Sequence, residues 1–446
     1  MKKLSLAVIG LVSILQAEVP AYPRIDADSV KMSQDWHSRL VTVTYTLEDS
    51  PGIVTVDFKT NGVSIGQGNI RGVDGEINKL VQPGSYTLKW RPYESWPGHL
   101  VATGGIEAVV TAWSTNSPPD YMVIDISGGP DDTTPVFDKI RYYVSEAALP
   151  FPGGVTNDLC KTDYLVMRRI HAAGKTFRMG IADAEKNGET INDAAPHYVQ
   201  LTNDYYIGVF EFTQKQWNHL GCARTMPRYF TKEWEMRPVT HTGGTWLRGY
   251  TDNKSHIVWP RDGHAVNSKR GDDYTALYLL RKIVGGMPID LPTEAQWEFA
   301  ARAGKGGIMP DGTSLFNKAD MPKYGRFPGS PDLPENVTVG TDTLPSEGGT
   351  AIVGSYPPNA WGLYDMLGNV LELCLDKWGR TYDSDVTHID PAGADPVFGN
   401  ADKNRVLRGG HYGAVWSIAS RSSMNVNYTD NNNADYTGFR VCLTLP

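Results

Sequence analysis

Between residues 24 and 115 the chain alternates apolar and polar positions. Leu40-Val41-Thr42-Val43-Thr44-Tyr45-Thr46-Leu47 is one such run. Ile53-Val54-Thr55-Val56-Asp57-Phe58, Ser85-Tyr86-Thr87-Leu88-Lys89-Trp90 and the stretch from Ile106 to Ala112 are others. Breaks fall at Asp49-Ser50-Pro51-Gly52, Asn61-Gly62 and Pro83-Gly84. Side chains alternate across a strand, so short β-branched runs with a period of two and regular turn signals predict an antiparallel β-sandwich. Ser117-Pro118-Pro119 reads as its boundary. Beyond it, Tyr121–Ile126 and Ile140–Val144 flank a Gly/Pro/Asp-rich turn at Gly128–Thr134, which predicts a hairpin linking two halves.

From about residue 161 the period changes. Thr213-Gln214-Lys215-Gln216 opens a helix with a capping box, placing Trp217 and Leu220 on one face. Leu277, Leu280, Ile283 and Val284 recur at helical spacing, preceded by Asp272-Asp273 as N-terminal caps and stopped by Gly285-Gly286. Leu291 to Gly304 is the clearest helix. Thr293 caps it, Gln296 completes the box, Gly304 supplies a left-handed stop, and Trp297, Ala300 and Ala301 face inward. Glu298 and Arg302, four apart, read as an exposed ion pair rather than as part of a catalytic carboxylate pair with Glu294. The remainder is loop and short strand. The fold class expected is therefore α+β: an N-terminal antiparallel β-sandwich followed by a loop-rich domain, with boundaries at 18–117, a 118–160 linker hairpin and 161–446.

Composition changes this picture at three points. The chain of 446 residues carries 42 Lys+Arg against 50 Asp+Glu, a net charge of −8, which argues against a nucleic-acid partner. Residues 1–17, with Lys2 and Lys3 before an apolar stretch and Ala17 at its end, have the pattern of a bacterial-type secretory signal peptide, so a secreted or periplasmic location is expected. Past it no apolar run approaches the roughly 20 residues that span a bilayer, so no integral membrane protein is expected. Finally, the four cysteines (Cys160, Cys222, Cys374 and Cys442) include no CxxC and no zinc-spaced cluster. Export would permit disulfides, but spacing does not choose among the three pairings. Cys374, inside Leu373-Cys374-Leu375, reads as a buried thiol.

Several segments, taken in order, resemble the sulfatase-modifying-factor family of the formylglycine-generating-enzyme type. They are Thr176-Phe177-Arg178-Met179-Gly180; Tyr206-Ile207-Gly208-Val209-Phe210-Glu211-Phe212-Thr213; Leu291–Gly304; Pro357–Glu372; Arg408-Gly409-Gly410; and Gly438-Phe439-Arg440. The resemblance covers about 161–446 and implies a loop-rich variant of the C-type lectin fold. It includes copper-dependent oxidases that convert a sulfatase cysteine to formylglycine, iron-dependent sulfoxide synthases, and non-catalytic binding proteins. The oxidases hold copper on two cysteines shortly after the Arg-Gly-Gly motif, and thiolates suit the soft Cu(I) ion. Residues 411–421 of this chain contain no cysteine. The ten histidines are scattered without an HxxxH, which the synthase chemistry would need. Copper is therefore not expected.

The resemblance implies structural calcium instead. One site would use the Asp365 and Glu372 carboxylates with the backbone carbonyls of Gly368 and Val370. A second would begin at Asn336 and the carbonyl of Val337. Hard oxygen donors from a tight loop suit that ion. The competing reading pairs Glu372 and Asp365 with arginines such as Arg408 or Arg440. His411, Tyr412, Trp416 and Arg421, with the insert Arg237–Arg270 and the Asn425–Tyr436 loop, are candidates to line a ligand groove, since aromatic and amide side chains suit sugar or peptide recognition. No catalytic residue is assigned. The function expected is an exported family member acting as a binding module for a protein, peptide or glycan. The alternative is a formylglycine-generating oxidase, or another enzyme modifying an exported sulfatase-like partner.

Overall fold

The structure is a computed structural model. It describes residues 22–99, 105–190, 195–222, 235–240, 247, 275–328, 330, 338–339, 342–343, 349–378, 382–391, 404–414, 421–425 and 436–446.

The alternating runs form two antiparallel sheets. In one, Val41–Glu48 lies between Gly84–Trp90 and Lys31–Gln34, with Arg24–Ile25 also paired to it. In the other, Gly52–Thr60 pairs along its length with Ile106–Trp113 and at its ends with Val63–Ser64 and Leu80–Val81. Val41, Val43, Tyr45 and Leu47 point inward at every second position and meet Val54, Val56, Phe58, Leu88 and Trp90 in one apolar core. Phe58 and Trp90 stack there at 4.4 Å. The Asn61-Gly62 break is a two-residue hairpin with positive φ at both positions (50° and 78°), the twist that right-handed strands need. The Gly52–Thr60 strand departs from alternation, because residues 52–56 are buried on both faces.

The hairpin expected as a linker forms, but it belongs to the second unit. Tyr121–Asp125 is the second strand of a five-stranded antiparallel sheet ordered 140–143, 121–125, 164–170, 205–208, 442–444. The reason lies in its residues: Met122 and Ile124 face one apolar core while Tyr121 and Val123 face another, so both faces must be covered. The Ser117-Pro118 boundary is held down by Arg169, whose guanidinium donates to the carbonyl of Pro118, to Ser117 Oγ (3.0 Å) and to Asp204 (2.7 Å).

A three-stranded sheet (175–179, 197–201, 387–389), a four-stranded one (421–425, 404–408, 371–377, 437–438) and a two-stranded one (338–339, 342–343) are the other described sheets of the unit. The Gln214–Leu220 helix has the expected box, with Thr213 accepting from the Gln216 N–H, and it ends at Gly221 with φ 67°. Two helix ends differ from expectation. The Ala276–Ile283 helix is capped by Thr275, whose hydroxyl accepts from the Tyr278 N–H; Asp272 and Asp273 lie outside the described residues. The Glu294–Arg302 helix has its Thr293/Gln296 box, and the left-handed stop starts one residue early, with Ala303 at φ 46° followed by the expected Gly304 at φ 77°. This helix is buried along its whole length, so Glu298–Arg302 is not an exposed pair. No described helix is long and apolar enough to cross a membrane.

Candidate functional site

The hallmark segments converge on the Glu294–Arg302 helix. Trp297 is fully buried, with a set of ionic groups on either side. On one side Glu298 accepts from both Arg302 Nε (2.8 Å) and Nη2 (2.6 Å), from the Gly180 N–H (2.9 Å) and, on its other oxygen, from Arg408. Arg302 also donates to the carbonyls of Gly180 and Gly307, both at 2.9 Å. Burial alone would push the Glu298 carboxyl up; Arg302 and Arg408 outweigh it and hold it below the usual carboxylate range. The predicted partners are thus right and the predicted exposure wrong, because Arg408 closes over the pair from the strand above.

On the other side, Glu372 accepts from Trp297 Nε1 (2.7 Å), from Arg440 Nε (2.6 Å) and from Arg440 Nη2. Arg440 continues to the carbonyls of Gly208 and Tyr364, both at 3.0 Å. The terminal arginines of Arg408-Gly409-Gly410 and Gly438-Phe439-Arg440 are therefore counter-charges for buried carboxylates. Gly438 leaves room for the approach: a Cβ there would stand 2.7 Å from the Val239 carbonyl.

A third acid sits beside this pair. Glu211 is fully buried and accepts from the Val370 N–H (3.1 Å) and from Asn369 Nδ2 (2.6 Å). Sequence reasoning gave it no role. Its signal was a lone carboxylate inside the apolar run Tyr205–Phe212. Burial, then Asp365, then Glu372 push its carboxyl well above the usual range. Burial likewise lifts Asp365 to about 6, against the pull of the Gly354 N–H and Arg440. Asp365 Oδ2 accepts from that N–H at 2.6 Å, whereas its buried Oδ1 has no hydrogen-bond partner.

These contacts test the calcium set. Asp365 offers a buried carboxylate oxygen without a protein donor, in surroundings with three acids to one arginine, so it fits a cation. Glu372 does not fit as arranged, since both its oxygens are engaged by Arg440 and Trp297. The turn itself is tight: Asp365, Gly368 and Asn369 all have positive φ, and a Cβ on Gly368 would meet the Arg326 carbonyl at 2.5 Å. Among the described residues no three His, Cys, Asp or Glu side chains gather into a metal-binding group. The three acids thus act on one another through charge without forming such a group. Asn336 and Val337 lie outside the described residues.

The thiols fit copper poorly. All four are free. Cys374 and Cys442 lie in the same apolar core, at 0% and 2% exposure. Burial pushes both thiols well above their ordinary range, and it pushes Cys160 and Cys222 up to about 12. A metal-ligating thiolate needs the opposite environment.

Of the groove candidates, His411 and Tyr412 come together. The His411 ring stacks on Tyr436 at 4.4 Å and meets Tyr412 edge-on at 5.7 Å, and the Tyr412 N–H donates to the Asn369 carbonyl at 3.1 Å. Arg421 lies opposite Arg408 in the strand pairing; its side chain and Trp416 are outside what is described. A cavity of about 210 Å³ in this unit is lined by Tyr324, Pro357, Pro358, Asn359 and Asp365, among others, and neither His411 nor Tyr412 lines it.

With this geometry in place, comparison with known proteins gives the following. The family model described as "Sulfatase-modifying factor enzyme 1-like domain" matches residues 161–445. The formylglycine-generating enzyme of Thermomonospora curvata is 34% identical over 166 residues, covering 34% of this chain and 48% of that protein. The mouse (Mus musculus) protein named inactive C-alpha-formylglycine-generating enzyme 2 is 32% identical over 161 residues, covering 34% of this chain and 41% of its own. The matches thus span half or less of these relatives. The solved structure of PvdO from Pseudomonas aeruginosa aligns at 20% identity and a TM-score of 0.43, covering 63% of this chain and 95% of that one.

Proposed function

The chain belongs to the sulfatase-modifying factor family, and from that premise we propose that it is an exported, non-catalytic member that binds a protein, peptide or glycan. One observation carries this reading: residues 411–421, where the resemblance places the copper cysteines, hold no cysteine, and of the four thiols three are buried and Cys222 is half-buried. The hallmark arginines are engaged in core ion pairs, which fits a retained scaffold. The family's inclusion of a relative named inactive fits as well. The ligand surface in this reading runs from the His411–Tyr412–Tyr436 aromatic group. Copper titration of the purified protein, with oxygen uptake measured on a Cys-x-Pro-x-Arg peptide, tests it. The expected result is neither stoichiometric copper nor uptake; both together would overturn the reading. The second reading, an oxidase acting on an exported sulfatase-like partner, is favoured by the name of the Thermomonospora curvata relative.

Calcium enters this proposal as a structural ion, with Asp365 Oδ1 its available carboxylate oxygen and the carbonyls of Gly368 and Val370 the further donors that the resemblance implies. Thermal unfolding in calcium and in EDTA checks this. Ligand present at about a hundred times its Kd stabilises by roughly 2.7 kcal/mol. The parent should gain stability with calcium, and Asp365→Asn should not. Equal curves for the parent in the two buffers would remove calcium from the proposal.

A further inference from the structure

A second cavity, of about 180 Å³, lies where the β-sandwich meets the following unit. Val56, Ile70 and Ile77 line it from the sandwich, and Tyr143 and Ala148 from the other side. The junction is held at Asn78 and Lys79. The Tyr142 N–H donates to the Asn78 carbonyl at 2.7 Å, and Lys79 Nζ donates to Asp138 at 2.8 Å. Its walls therefore belong to ordered backbone, and the space is formed by the packing of the two units.

Arg71 lines this cavity and is the one charged residue among its described lining. Its Nε is buried without a hydrogen-bond partner. A guanidinium carries five donors in a fixed fork, accepts nothing and does not deprotonate, so a buried Nε–H without an acceptor is costly. The chain has 50 Asp and Glu residues and places none of them on this wall. Glu94, which stands near Gly72, is within 4.0 Å of Arg91 instead. Several fully buried arginines elsewhere meet a carboxylate, Arg302 and Arg408 at Glu298 and Arg440 at Glu372, whereas half-buried Arg71 has none on its cavity wall and buried Arg326 rests on the Gly349 and Phe327 carbonyls.

We propose that this inter-unit cavity is a binding site for a compact organic carboxylate, its carboxylate on Arg71 and its apolar body against Val56, Ile70 and Ile77. Size fits the class, since a cavity of about 150 Å³ accommodates a benzene ring. Arginine pairs with carboxylates through two parallel hydrogen bonds, which sets the ligand's orientation. A site in this position would couple the placement of the sandwich to the ligand, because both units supply walls.

Titration calorimetry of the full chain tests the proposal, with sodium benzoate, uncharged benzamide and inorganic phosphate as probes. Benzoate is expected to bind one site per chain, with benzamide and phosphate at least roughly tenfold weaker, the ordinary worth of a hydrogen bond to a charged group. Arg71→Gln should lose benzoate binding by a similar factor while unfolding at the parent's temperature. Ala148→Phe, which fills the cavity from the opposite wall and leaves Arg71 in place, should abolish it. The proposal is overturned if benzoate does not bind, if benzamide or phosphate binds as tightly, or if benzoate binding survives both substitutions.

Discussion

The two units of this molecule solve the same packing problem with different chemistry. The sandwich buries a single charged side chain among its described residues, Lys79, paired with Glu76 and Asp138 at its edge, while Val41, Val43, Leu47, Val54, Val56, Phe58 and Leu88 form an apolar core. The larger unit buries Glu211, Glu294, Glu298, Glu372, Arg302, Arg408 and Arg440, each below 4% exposure. The difference follows from backbone regularity. In the sandwich, ladders of paired strands satisfy the main chain and fix which side chains face inward. In the larger unit, long irregular segments bring their own unsatisfied polar groups inside, and the buried side chains satisfy them: Arg440 takes the Gly208 and Tyr364 carbonyls, Glu211 the Val370 N–H, Glu298 the Gly180 N–H. Ion pairs here join the 294–302 helix to the 404–408 strand, and the 371–377 strand to the segment carrying Arg440.

If that contrast is right, the two units should fail differently. The largest effect is expected from Glu298→Ala, which strands two buried guanidinium groups. Breaking a buried pair by removing one partner costs about 3–5 kcal/mol. Urea unfolding followed by tryptophan fluorescence should show that loss in the larger unit, with the sandwich transition unmoved. Leu88→Ala should do the reverse, at about 2–5 kcal/mol for the lost contacts and the cavity left behind. A single shared loss in both variants would mean that the units unfold as one, and the comparison would break.

Acid sharpens the contrast next. The Glu298 carboxyl is held below its unfolded value of 4.5. Its contribution is therefore complete above about that pH and is lost as pH falls through the folded value. Asp365 and Glu211, both held above their unfolded values, act in the opposite sense and add stability as they take up protons. The larger unit's urea midpoint should therefore first rise on acidification from pH 7 and then fall as Glu298 loses its charge, and Glu298→Gln should flatten that acid limb. The smallest effect belongs to the helix cap. Thr293→Ala removes the acceptor for the Gln296 N–H and should cost about 1 kcal/mol. Thr293→Ser, which keeps the hydroxyl, should restore most of that in the same unfolding experiment.

The same contrast explains what was legible beforehand. Strand alternation needs only the local sequence, so the four long sandwich strands and the Asn61-Gly62 turn read directly. The Thr213/Gln216 and Thr293/Gln296 boxes read for the same reason. Burial of the Glu298–Arg302 pair did not, because it depends on Arg408, more than a hundred residues away, closing over it. Nor did the role of the 121–125 hairpin, which is decided by partners at 164–170. At the candidate site, the resemblance marked Asp365 and Glu372 as a pair of ligands. The fold keeps them within electrostatic reach of one another, but Arg440 claims Glu372, and Glu211, to which its matching segment gave no role, adds its charge beside them.

The five-stranded sheet carries one further consequence. Its 205–208 strand is flanked by 442–444, so a stretch near the middle of the sequence waits for one synthesised more than two hundred residues later. Arg440, which neutralises Glu372, arrives in the same late segment. The sandwich, by contrast, pairs strands within 24–113. A ribosome delivering this chain from its N-terminus releases a finished module first, and then holds an incomplete one with its acids uncompensated. Pairings so distant along the chain form slowly. The interval before residue 440 emerges is when the nascent protein most needs shelter from aggregation.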